Sequence, residues 1–164
     1  MTTLIAIIGI GIFCLLAEIM NLKKIIIPVS IVSLMALFGL NITGQLPEIT
    51  GYESMIEVNK FSVAFSSLFI LLTALLILMS APSYAKSSKL SDFISIKVFM
   101  LSGAVAMVSF SNMAMFFLGI EVLSIGLYVL AGSDRLNIKS NEAGMKYFLM
   151  GSFASGILLF GITM

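Results

Sequence analysis

The stretch NMAMFFLGIEVLSIGLYVLA, residues 112–131, decides how the chain is read. Its length is what a helix needs to cross the hydrocarbon layer of a membrane. Glu121 is its only charged residue. A charge near a bilayer midplane opposes insertion by roughly 2.5–3.5 kcal/mol on translocon scales. Glutamate is too short to reach either surface from that depth, so a residue this costly is read first as functional.

The flanking sequence has the same character. Of 164 residues, 60% are hydrophobic and 10% charged, and the mean hydropathy is +1.16. A soluble domain cannot bury so much apolar surface. The apolar runs are continuous and lack the two-residue alternation of a membrane barrel, so the fold class is an all-α membrane protein. Six transmembrane segments emerge, at 3–20, 25–42, 61–81, 93–110, 112–131 and 142–164. Residues 93–131 contain no proline, yet one helix there would extend about 58 Å, nearly twice the hydrocarbon thickness. The chain must turn back, and residues 109–112 (SFSN) are the most polar place to do so. The first segment lacks the basic start and small-residue cleavage site of a signal peptide and is expected to remain as a helix.

Charge sets the expected orientation. Lys23 and Lys24 fall in the first loop, Lys86 and Lys89 in the third, and Arg135 and Lys139 in the fifth. The second loop has Lys60 beside Glu48, Glu53 and Glu57, and the fourth has no basic residue. Loops rich in lysine and arginine stay cytoplasmic, so the N-terminus is expected outside. The net charge of +1 gives no electrostatic case for nucleic acid. One cysteine and no histidine are too few ligands for haem, zinc or most iron chemistry. Cys14 reads as packing.

Ser124 and Tyr128 lie three and seven residues after Glu121, on the same helix face. Their hydroxyls would bond the carboxylate or hold waters that relay a proton. The plainer alternative is that Ser124 eases helix contact and Tyr128 is an interfacial aromatic. In the sixth segment Ser140 or Asn141 reads as the N-cap and Glu142 as a first-turn acid favoured by the helix dipole. Lys146 follows one turn later. From that start it lies about 6 Å inside its helix, against about 15 Å for Glu121. Depth alone therefore favours a surface ion pair with Glu142 and a lysine snorkelling to water. A proton-transfer role for Lys146 needs water or the Ser124–Tyr128 stripe as a bridge. Glu18 with Lys23 and Lys24, and Asp92 with Lys97, read as anchors at helix ends. Gly151, Ser155, Ser152 and Gly156 give the sixth helix small faces for close packing.

The text FLGIEVLSIGLYVL at 117–130, followed by SNEAGMKYFLMGSFASGILLFG at 140–161, resembles subunit N of the proton-pumping NADH:quinone oxidoreductases, respiratory complex I. The mitochondrial counterpart is NADH dehydrogenase subunit 2. Family members show a GLELLSL…LY helix and then an EAALKYFLLGALASGLLLFG helix at the same spacing. Subunits L and M tend to carry a bulky aromatic just before the glutamate, where Ile120 stands here. The resemblance is strong over 93–164 and weak over the first three segments. It implies that Glu121 is the family's fifth-helix proton-pathway glutamate and Lys146 its sixth-helix lysine. Gly126 departs from the proline often found there.

Family members have about fourteen helices, including a seventh-helix lysine that partners the glutamate. The chain is thus expected to be an N-terminal part, with 1–92 as three leading helices and 93–164 as the truncated start of the antiporter-like repeat. The expected function is a subunit of a translocase in a bacterial inner membrane, coupling electron transfer from NADH to quinone with outward proton movement. NADH, FMN, iron–sulfur clusters and quinone belong to other subunits on this reading, and the partners are other complex I membrane subunits and the lipid bilayer. The alternatives are a cation/proton antiporter or membrane-bound hydrogenase relative, and a truncated scaffold that does not pump.

Overall fold

A computed structural model describes residues 2–19, 23–45, 54–84 and 90–164. The side chains of Glu18, Lys23 and Lys24, and residues Glu48, Glu53, Lys86 and Lys89, lie outside the described residues. The helices are α1 (Thr2–Ile19), α2 (Lys23–Thr43), α3 (Lys60–Tyr84), α4 (Leu90–Val108), α5 (Met113–Ala131) and α6 (Ile138–Thr163). Helices α2 to α6 are each long and apolar enough to cross a membrane, and α1 is a shorter apolar helix. Helix is the form in which such segments satisfy every backbone polar group without water.

The core lies among the first four helices. Ile7 and Cys14 of α1, Leu34 of α2, Ile70 and Ile77 of α3, and Val98 and Val105 of α4 are all almost wholly enclosed. Helix α4 is the hub, touching α1, α2, α3 and α5, whereas α6 touches only α5 among the described helices. One consequence is asymmetry: α4 buries ten residues, α5 only Gly119 and α6 only Gly144.

Polar stitches hold the apolar surfaces in register. Asn41 on α2 is buried and donates to Ser66 Oγ at 2.9 Å and to the Val63 carbonyl at 3.4 Å on α3. Asn41→Leu is therefore expected to cost about 0.6 kcal/mol and at most about 1.7 kcal/mol, the range for hydrogen bonds between membrane helices. Thermal unfolding of the full-length subunit in detergent reads this as a lowered midpoint, and an unchanged midpoint would contradict it.

The turn expected at 109–112 is where α4 and α5 separate. Asn112 caps α5, its side chain accepting from the Ala114 amide. The segment before α3 closes over this turn: the Glu57 amide donates to the Ser109 carbonyl and the Ser111 amide to the Met55 carbonyl, both at 2.9 Å. Ile56 and Phe110 thus form an isolated antiparallel bridge. Helix α5 then runs unbroken past Gly126.

The start of α6 corrects the sequence reading. The N-cap is Asn137, whose side chain accepts from the Lys139 amide at 3.0 Å, not Ser140 or Asn141. Those two lie inside the first turn and brace the loop instead. Ser140 Oγ donates to the Ala131 carbonyl and Asn141 Nδ2 to the Arg135 carbonyl. Three residues with capping side chains stand close together, and the loop geometry selects the first. Glu142 accordingly falls beyond the first turn, which has no acidic residue, where the helix dipole has largely faded.

Candidate functional site: a buried carboxylate on the α5–α6 seam

Helix α5 is carried between α4 and α6 by close approaches at glycine. A Cβ added to Gly119 would sit 2.8 Å from the Gly103 carbonyl oxygen and from the Met107 amide of α4. On the other side, a Cβ on Gly144 of α6 would sit 2.8 Å from the Gly132 Cα. Two turns along from Gly144, the Tyr128 hydroxyl occupies the space that a Cβ on Gly151 would fill. The Tyr128 ring packs edge-on against Tyr147 and Phe148 of α6, with centroids at 5.0 and 5.9 Å. Small residues at these points let the two backbones come together.

These contacts fix an antiparallel register. Gly132 is level with Gly144 and Tyr128 with Phe148, so Glu121 is level with Ser155. Lys146 is level with Leu130, about 13 Å along the axis from Glu121 at 1.5 Å per residue. Because α6 begins at Ile138, Lys146 is about 12 Å from its own helix start rather than 6 Å. Helix α6 extends below the end of α5 by a similar length, and the separation between the two charges persists.

Each site residue can now be located. Glu121 is partly buried, and its Oε1 is fully enclosed with no hydrogen-bond partner among the described residues. Ser124, one turn away, donates to the Ile120 carbonyl of its own helix at 2.8 Å and not to Glu121. Lys146 pairs with Glu142 at 2.5 Å, and both side chains are more than half exposed in this chain. The structure thus brings together Lys146 with Glu142, and Tyr128 with α6, and leaves Glu121, on the same α5 face as Tyr128, with an oxygen unsatisfied among the described residues. A buried acceptor without a partner costs about 1–3 kcal/mol. A bridging water would supply the missing partner.

Two features were not legible as site elements in the sequence. Ser155 was readable only as a small packing residue, because its level with Glu121 depends on the register. Lys97, read as an end anchor, is partly buried and donates from Nζ to Ser80 Oγ near the end of α3 at 2.7 Å. Its position seven residues into an apolar helix was the available signal.

Comparison with known proteins agrees with the resemblance carried by α5 and α6. The family described as NADH:quinone oxidoreductase/Mrp antiporter, transmembrane, matches residues 110–164. Along its whole length the chain is 64% identical to the NADH-quinone oxidoreductase subunit N of Flavobacterium johnsoniae and 61% identical to that of Flavobacterium psychrophilum. The subunit N of Cytophaga hutchinsonii is 39% identical, again across all of this chain. In each case the chain spans 36% of the relative's length. By sequence the chain belongs to the NADH-quinone oxidoreductase subunit N family, corresponding to the N-terminal part of its members.

Proposed function

We propose that the chain is the N-terminal part of a membrane subunit that couples electron transfer from NADH to quinone with outward proton translocation. The observation that carries this reading is Glu121, a carboxylate deep in α5 with an enclosed and unpartnered oxygen. Residues 93–164 are the start of the antiporter-like repeat on this reading. Other subunits supply FMN, iron–sulfur clusters and the quinone site, and other membrane subunits flank the chain in the lipid bilayer. The end bearing Arg135 and Lys139 faces the cytoplasm of a bacterial inner membrane, by the weight of lysine and arginine in the first, third and fifth loops. Moving one charge outward against 100 mV requires about 2.3 kcal/mol, which conformational change driven by redox chemistry elsewhere must supply.

Glu121 carries the proton in this scheme, Ser124 and Tyr128 support it, and the Glu142–Lys146 pair is a second transfer point nearer the basic end. The test is the proton yield per NADH oxidised in vesicles whose full-length subunit carries Glu121→Gln, and an unchanged yield would overturn the proposal. Lys146→Ala is expected to lower the yield less. With no effect at all, Lys146 would be an interfacial ion pair and nothing more.

The second reading is a subunit of a cation/proton antiporter or hydrogenase-linked complex, and it has support because the matching family description includes Mrp antiporters. Co-purification decides between them: flavin and iron–sulfur subunits that oxidise NADH favour the first, and their absence the second. A non-pumping scaffold would leave every Glu121 variant silent.

A further inference from the structure

Helices α4 and α6 both pack on α5 and do not touch each other among the described helices. The space left between them over α5 is a cleft of about 590 Å³ at the end that holds the α5–α6 loop. That volume falls within the roughly 300–1,000 Å³ of sites for small organic molecules. Its lining is graded from polar to apolar. Asp92 in the first turn of α4, Arg135 in the loop and Asn141 in the first turn of α6 form a polar rim, and all three are exposed. Deeper in, Ile96 lies one turn beyond Asp92, and Phe148 lies two turns beyond Asn141, about 10 Å further along the helix. Val129 of α5 completes the apolar part, and Val129 and Phe148 are each half exposed in this chain.

We propose that this cleft seats one phospholipid whose headgroup carries both a phosphate and a primary ammonium, as phosphatidylethanolamine does. Arg135 and Asn141 hold the phosphate. The Arg135 guanidinium takes part in no ion pair among the described residues. Its planar fork can donate two parallel N–H bonds to phosphate oxygens. Asn141 Nδ2 donates one hydrogen to the Arg135 carbonyl at 2.9 Å, which leaves its second hydrogen for the phosphate. Asp92 receives the ammonium. A carboxylate offers about four acceptor sites, so the bonds Asp92 already makes leave room for an ammonium N–H.

The opposed rim charges decide the lipid class. A purely anionic headgroup would meet Arg135 but set its charge beside Asp92 with nothing to offset it. A zwitterionic headgroup satisfies both. The acyl chain then runs down over Ile96, Val129 and Phe148, apolar surface at the depth where the lipid is itself apolar. Polar rim above apolar wall is the profile of a phospholipid, and pockets between membrane helices at the basic face hold lipid headgroups by the same electrostatics. Lipid seating here is independent of the proton chemistry of Glu121.

The test uses the intact complex with its full-length subunit, in vesicles of phosphatidylethanolamine and phosphatidylglycerol in equal amounts. Each lipid in turn carries the same diazirine on one acyl chain, and labelled peptides are mapped by mass spectrometry after illumination. Peptides containing Ile96, Val129 and Phe148 are expected to be labelled about threefold more by phosphatidylethanolamine, the modest preference of an exposed ion pair. Asp92→Asn is expected to remove that preference. Arg135→Gln is expected to lower labelling by both lipids about fivefold, the share of one arginine at a membrane surface. Native gels establish that both variants assemble, and the comparison of two lipids on the unaltered complex needs no variant. Equal labelling by the two lipids in that complex means ordinary surrounding lipid and overturns the proposal. A preference that survives Asp92→Asn also overturns it. Short cross-links from Val129→Cys into the part of the subunit beyond Met164, with the lipid label absent, would show protein in the cleft and overturn it as well.

Discussion

Vesicles carrying Glu121→Gln in the full-length subunit are expected to lose most proton uptake while the complex still assembles. The amide keeps the size and shape of the carboxyl group, so the packing of α5 between α4 and α6 has no steric reason to change. It also removes the charge whose insertion costs roughly 2.5–3.5 kcal/mol, so entry of α5 into the membrane becomes easier rather than harder. What glutamine cannot do is take up a proton and release it. A positioned proton-transfer group contributes about 10²–10⁴ in rate, and the step through Glu121 is expected to slow by that order. The measurement is dye-reported proton uptake divided by NADH oxidised, with quantitation of the assembled complex on native gels. Assembly with normal proton yield contradicts the role assigned to Glu121. Glu121→Asp, which keeps the acid on a shorter arm, is expected to retain part of the yield.

The second large effect is expected at a residue with no chemistry at all. Gly119→Ala should destabilise the subunit by at least the roughly 1–3 kcal/mol of an overpacked core. The cost falls at the upper end because the atoms met are backbone: a Cβ there would lie 2.8 Å from the Gly103 carbonyl oxygen, 2.8 Å from the Met107 amide nitrogen and 3.1 Å from the Met107 Cα. Side chains can rotate away and backbone cannot, so α4 and α5 must separate. The contact is reciprocal, since a Cβ on Gly103 would lie 2.8 Å from the Gly119 carbonyl oxygen. Glu121 is two residues from this crossing, so displacement of α5 also disturbs the site. The readout is the thermal midpoint of the detergent-purified complex together with its proton yield. Gly9→Ala serves as the comparison, because a Cβ there meets nothing within 4 Å and alanine is the better helix former. Equal midpoints for Gly119→Ala and Gly9→Ala would show that the close crossing carries no energetic weight.

Glu121 could be found without coordinates because its argument needs only length and charge. A carboxylate nine residues from the nearer end of an apolar run is deep in the hydrocarbon layer whatever that helix packs against. The turn at 109–112 was legible for a similar reason, since a continuous helix over 93–131 would not fit a bilayer. The cap of α6 was not legible. Asn137, Ser140 and Asn141 all carry side chains that can cap, and only the hydrogen bonds of the folded loop distinguish them. The Ser124 hydroxyl shows the same limit at smaller scale: helical spacing placed it near Glu121, but its donor went to the Ile120 carbonyl.

Sequence alone determined that this chain is a set of apolar membrane helices with one acid too deep to reach water. That much follows from hydropathy and the thickness of a bilayer, which act on each helix separately. The tertiary structure decided which residues share a level. Gly132 against Gly144, and Tyr128 over Gly151, set α6 against α5 so that Ser155 lies level with Glu121 while Lys146 lies about 13 Å away along the axis. Register between two helices depends on which small residues let their backbones meet, and that pairing is written in neither helix by itself.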